Sequence, residues 1–178
     1  MVGLVAHAVA GCLVIAWVLR ANPRALTRPE DGGPAVSALE AAYLVAGLAS
    51  WALGYVFNVQ FVHQYAVPGG NPFVGDGSWT DFTAHLFTNP AASSASQDYI
   101  FVNVVLLPLV TIVDGRRRGI ARPWLFFVSS LFTSCAFGFC LYFFVAERLR
   151  RHGAWREVPA DQDATTGRAG VLGGGSVP

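Results

Sequence analysis

The residues best suited to chemistry fall at matching ends of two apolar runs. Asn58, Gln60 and His63 close one run, Asn89 and Asp98 open the next, and Asn103 lies one to two turns deeper. Polar side chains are costly in hydrocarbon, so such a set marks a candidate ligand site. Asp98 and His63 are its titratable members, and general acid–base work needs a titratable group beside the reacting atoms. A pocket here would suit a lipid head group, quinone, isoprenoid or pigment. The competing reading is structural and carries more weight. Asn89 before Pro90 and Asp98 at a helix start both have capping roles, and the others bond one another and the loop backbone.

Other constellations point to no reaction. His7, His63, His85 and His152 lack metal-ligand spacing, and Cys12, Cys135 and Cys140 lie in apolar runs without a Cys-x-x-Cys partner. No nucleophile elbow, phosphate loop or dinucleotide fingerprint occurs. No catalytic residue, metal site or cofactor is therefore assigned, and a non-enzymatic role is the leading expectation. Asp114 with Arg116, Arg117 and Arg118 could bind anionic lipid head groups, although a loop that sets topology explains them as well.

The elements that carry these residues are hydrophobic helices. Apolar residues make up 53% of the 178-residue chain and charged residues 13%, with a mean hydropathy of +0.45. Soluble domains carry about 25% charged residues, so this chain cannot coat a water-facing globule. Its net charge of +1 offers no electrostatic basis for nucleic-acid binding. The fold class expected is an all-α membrane protein with four transmembrane helices and a short interfacial amphipathic helix between helices 2 and 3.

Residues 1–19 form the first span, near the length that crosses a bilayer. A basic linker, 20–37, holds prolines and a glycine pair, and Ser37 with Glu40 makes a capping box for the second helix. A core over 38–148 then contains helices at about 39–65, 96–114 and 123–146. Gly47 and Gly54 share one face of the second helix, where small residues permit close helix packing. Trp79, Phe82, Leu86 and Phe87 line one side of an interfacial helix at about 79–87, with Asp81 and His85 elsewhere. The tail, 149–178, is polar and glycine-rich, a composition of disordered segments.

With four spans, loops 20–37 and 115–123 share a side and carry seven arginines. Loop 64–97 has none, and the tail beside it holds Arg148, Arg150, Arg151 and Arg156. The positive-inside rule then makes loops 20–37 and 115–123 cytoplasmic.

Four short signatures follow in order. They are Tyr55-Val-Phe57-Asn58-Val-Gln60-Phe61; Phe87-Thr-Asn89-Pro90-Ala91-Ala92-Ser93-Ser94 with Asp98; Asp114-Gly115-Arg116-Arg117-Arg118-Gly119 before Trp124; and Glu147-Arg148. Through them the chain resembles, over about residues 44–148, a bacterial membrane-protein family known as domain of unknown function 2834. The family's proline before its last charged residues is missing from Cys140-Leu141-Tyr142-Phe143-Phe144. The resemblance implies a compact helical membrane fold and brings no activity, ligand or catalytic residue. The functional expectation is an interaction or accessory subunit of a membrane complex. Its partners would be membrane lipids and a membrane-protein partner or further copies of the chain. The alternative is a membrane enzyme or binding protein for a hydrophobic small molecule, using the polar set above.

Overall fold

A computed structural model describes residues 2–153, and no strand occurs among them. Helix α1 spans Val2–Ala21, α2 Ala38–Tyr65, α3 Trp79–His85, α4 Pro90–Ile100, α5 Leu107–Arg117, α6 Trp124–Phe132 and α7 Cys135–Arg151. A 3-10 turn, Pro23–Leu26, follows α1, and a π-helical stretch, Phe101–Leu106, joins α4 to α5. Three runs are long and apolar enough to cross a membrane: Gly3–Ala21, Ala38–Tyr65 and the continuous Pro90–Arg117.

The third run begins earlier than the sequence suggested. Asn89 accepts the Ala92 amide at 2.9 Å as N-cap, and Pro90 fills the first helical turn, where its missing N–H costs nothing. Asp98, expected as a cap at a helix start near 96, therefore sits inside α4. The π stretch lies just ahead of Pro108, which has no N–H to donate and whose ring crowds the preceding turn. Widening the helix here lets Leu107 N–H reach Val102 O.

The largest correction concerns residues 123–146. The single helix expected there is two antiparallel helices, broken at Thr133 (φ −126°, ψ −94°). The cause is a run of hydroxyls inside the phenylalanine-rich segment. Ser129 Oγ donates to Phe126 O at 2.7 Å, Ser130 Oγ to Phe127 O at 2.7 Å, and Thr133 Oγ1 to Ser129 O at 2.8 Å. Such bonds compete with the helical ladder. Ser134 then starts a new helix by accepting Phe137 N–H at 3.0 Å. The two helices fold face to face, with Phe126 against Tyr142 at a ring distance of 5.3 Å. A Cβ on Gly138 would stand 2.9 Å from the Ser130 Cβ and 3.1 Å from Phe126 O, so glycine is what lets the two approach.

This hairpin is the centre of the molecule, and the long helices clasp it. Along α1 and α6, Trp17 meets Trp124 and His7 meets Phe132. Along α2 and α7, Tyr43 meets Phe143 and Trp51 meets Phe137. Ser50 and Ser134 share a hydrogen bond of 2.9 Å at the tip. Each pairing is antiparallel. The chain therefore leaves α7 at the end where α1 finishes, α2 begins and α5 gives way to α6.

The side assignment read from four spans is corrected accordingly. Arg148, Arg150 and Arg151 lie with loops 20–37 and 115–123, not opposite them. Residues 149–151, assigned to the tail, close α7, and the remainder of the expected tail from 154 onward falls outside the described residues.

At the other end, α3 packs on the last turns of α2. Phe61 lies 5.2 Å from Phe82 and 5.5 Å from His85, and Tyr65 lies 4.4 Å from His85. His85, expected off the apolar face, is thus part of the aromatic contact.

Candidate functional site

The six polar residues singled out from sequence do not converge. Asn103 is buried and accepts the Ser130 hydroxyl at 2.7 Å, tying the π stretch to the hairpin. Asn89 caps α4, and Asp98 takes an amide hydrogen from its neighbour Gln97 at 2.7 Å on the surface. Gln60 and His63 are exposed, and Asn58 is half-buried. No hydrogen bond among the described residues joins any two of the six. Gly47 and Gly54 both turn toward the hairpin: a Cβ on Gly47 would meet the Cys140 Cβ at 3.0 Å, and one on Gly54 would lie 3.9 Å from Thr133 O. The three cysteines are free thiols, and no metal-binding group of His, Cys, Asp or Glu occurs among the described residues.

Organised polar chemistry gathers instead at the arginine end. Glu40, 0% exposed, belongs to the Ser37 capping box and does more than cap. Its Oε2 accepts Ser37 N–H at 2.6 Å and Arg151 Nη1 at 2.6 Å, and Arg148 Nε lies 3.6 Å from Oε1. Arg151 also donates to Asp31 at 2.7 Å and to Pro34 O. Arg148 donates to Ala25 O at 3.2 Å and Ala35 O at 2.5 Å. Two arginines of α7 thereby hold the whole 20–37 linker against the start of α2. The Arg151 hydrogen bond, helped by the Gly33 amide, keeps the Asp31 carboxyl below the usual carboxylate range. Arg150, paired with Glu147 at 2.5 Å, lowers that carboxyl too.

A second cluster lies one helix away. Asp114 accepts the Tyr142 hydroxyl at 2.5 Å and pairs with Arg118. Gly115 has no room for a side chain, because a Cβ would meet the Pro123 Cβ at 2.7 Å. Gly119 (φ +76°) ends α5: its N–H bonds Arg116 O, and Ile120 N–H bonds Gly115 O at 2.8 Å. That is a Schellman cap, for which glycine is the favoured residue. The cluster borders a cleft of about 160 Å³ between Tyr43, Asp114, Arg118, Tyr142, Phe143 and Glu147. Arg116 and Arg117, candidates for lipid head groups, are exposed beside it. Asn22 closes this end: it donates to Ala121 O at 3.1 Å and accepts Ala121 N–H at 2.9 Å, which staples α1 to the 115–123 loop.

Between α1 and α2, over α7, runs an apolar groove of about 340 Å³. Ile15 and Leu19 form one wall, Tyr43, Leu44, Leu48 and Trp51 the other, with Phe137, Cys140 and Phe144 as its floor and Leu26 at its end.

These features define a protein whose described residues are helical, with helices suited to crossing a membrane and the described arginines collected at one end of the bundle. The chain belongs to the family described as Protein of unknown function DUF2834, which matches residues 42–148. No curated protein and no solved structure matches it. The short motifs through which the sequence resembles that family lie on the contacts just described: Phe61 against α3, Asn89 at the α4 cap, Asp114 to Gly119 at the α5 exit and Arg148 in the linker knot. At Cys140 to Phe144, α7 continues unbroken.

Proposed function

We propose that this chain is a non-catalytic accessory subunit of a bacterial inner-membrane complex, built from three spans and a re-entrant hairpin. In this reading α1, α2 and the α4–α5 run cross the bilayer. The α6–α7 hairpin enters from the arginine end and returns to it. Its first arm has nine residues, rising ~14 Å against a hydrocarbon thickness of about 30 Å. The ten described arginines all stand at that end, facing five carboxylates, whereas the opposite loop has none. The positive-inside rule favours a cytoplasmic arginine end. Helix α3, with Trp79 exposed and Phe87 exposed just beyond its end, would lie along the opposite interface.

The observation that carries the accessory role is the open side of α2. Only 6% of its apolar window is buried inside the protein, although one face already holds α7. Ala42, Ala46 and Ala49 are exposed there, at the spacing by which small residues let a second helix approach. A photoreactive residue at position 46, in native membranes, should give a discrete protein adduct, and Ala46→Phe should abolish a matched adduct from position 42. Lipid adducts alone at both positions would refute the reading.

A further inference from the structure

The groove between α1 and α2 opens at the arginine end, and its chemistry changes along its length. Its deep part, between Ile15, Trp51 and Phe137, carries no charge. From Tyr43 to Trp51 along α2 it rises about 12 Å. Leu26, Leu44 and Leu48 on its walls are exposed, so it is an open channel in the side of the bundle and not a sealed void.

Its shallow end lies at Leu26. Leu26 belongs to the 3-10 turn, and Arg24 and Arg28 stand two residues either side of it. Both arginines are exposed, and neither forms an ion pair among the described residues. Arg148, 7% exposed, sets a third guanidinium 5.6 Å from the Phe144 ring that floors the groove. The linker carbonyls of Ala25 and Ala35 fix it there. The three arginines of α7 are committed to carboxylates: Arg148 and Arg151 to Glu40, Arg151 also to Asp31, and Arg150 to Glu147. An apolar slot of a small-ligand volume, with the unpaired Arg24 and Arg28 either side of its end residue Leu26, matches one class of molecule.

We propose that this groove binds an anionic glycerophospholipid of the leaflet at the arginine end. One acyl chain lies between α1 and α2 on α7, and the phosphate is held by Arg24 and Arg28. The site is separate from the polar residues of the opposite end and from the Arg116 to Arg118 loop. It does not depend on the accessory role, since it uses a different face of α2 from the alanine stripe.

The test is native mass spectrometry of the full chain, delipidated in detergent and titrated with phosphatidylglycerol or phosphatidylcholine of the same chains. The wild type should retain one phosphatidylglycerol, with a preference of about thirtyfold over phosphatidylcholine, each arginine contributing about fivefold. Arg24→Gln with Arg28→Gln should erase the preference and leave the weaker acyl-chain binding. Leu48→Trp, at an exposed wall position, should lose both lipids. Circular dichroism checks that each variant keeps its helices. Equal retention of the two lipids by the wild type would overturn the proposal. So would an unchanged preference in the double-arginine variant, or a groove occupied by a second copy of the chain whatever lipid is present.

Discussion

Glu40→Gln tests whether the arginine knot stabilises the fold. The substitution keeps size and an acceptor for Ser37 N–H, so the helix cap survives and only the charge is removed. The carboxylate is wholly buried, accepts Arg151 at 2.6 Å and faces Arg148 at 3.6 Å. Removing one partner of a buried ion pair costs about 3–5 kcal/mol, because the remaining charge is left without compensation. Asp31 still holds Arg151 here, and its side chain is 35% exposed, so the low end applies, about 3 kcal/mol. Arg151→Met should cost a similar amount, and the double variant should fall short of the sum by about 1–3 kcal/mol. Equilibrium unfolding of the micelle-bound protein by sodium dodecyl sulfate, followed by circular dichroism, measures all three. A loss below about 1 kcal/mol for Glu40→Gln, or strict additivity, would refute the idea that this carboxylate organises the linker.

Asp31 supplies a pH dependence. Its carboxyl titrates lower in the folded protein than in the unfolded chain, so its contribution is complete above the unfolded pKa and disappears as pH falls through the folded one. Acidification should lower the unfolding midpoint of the wild type more than that of Asp31→Asn. Gly138→Ala should cost about 1–3 kcal/mol by forcing α6 from α7, read by the same unfolding assay. Tyr142→Phe, which leaves Asp114 with Arg118 alone, should cost about 1.5–3 kcal/mol. A reporter fused after residue 153 should show the same sidedness as one inserted in the 115–123 loop, whereas one in the 66–78 loop should show the opposite. Opposite signals from the first two would rule out the re-entrant hairpin.

Helices were the most legible part of the sequence. The length of the apolar runs, the Ser37–Glu40 box and the Asn89-Pro90 pair all state local rules that the structure uses, though Asn89-Pro90 starts a helix instead of only stopping one. The hairpin was harder to read. Residues 124–146 are apolar enough for one span, and the hydroxyls of Ser129, Ser130, Thr133 and Ser134 look individually harmless there. Their spacing, two adjacent pairs set four residues apart, is the signal that separates a break from scattered serines. Glu40 was read as a cap because three residues separate it from Ser37. Its bonds to Arg151 and Arg148 join positions more than a hundred residues apart, which no local spacing encodes. Asn22 escaped notice for the same reason, its partner Ala121 being 99 residues away. The polar residues of the expected set share no hydrogen bond, Asn89, Asp98 and Asn103 each holding a separate partner, because residues at equal depth on two helices need not face each other.

The hairpin also bears on how such a chain enters a bilayer during synthesis. In the proposed topology α6 and α7 return to the side they came from, and every described arginine stays on the side of insertion. The internal segment that must be carried across is the α2–α4 connection, which has carboxylates and no arginine. In that topology the hairpin does not cross, and it packs only where α1 and α2 stand ready to receive it, Gly47 of α2 lying against Cys140 of α7. Such a hairpin has to seat after the helices that clasp it, and the pairing of Arg151 with Glu40 joins its last turn to the start of α2.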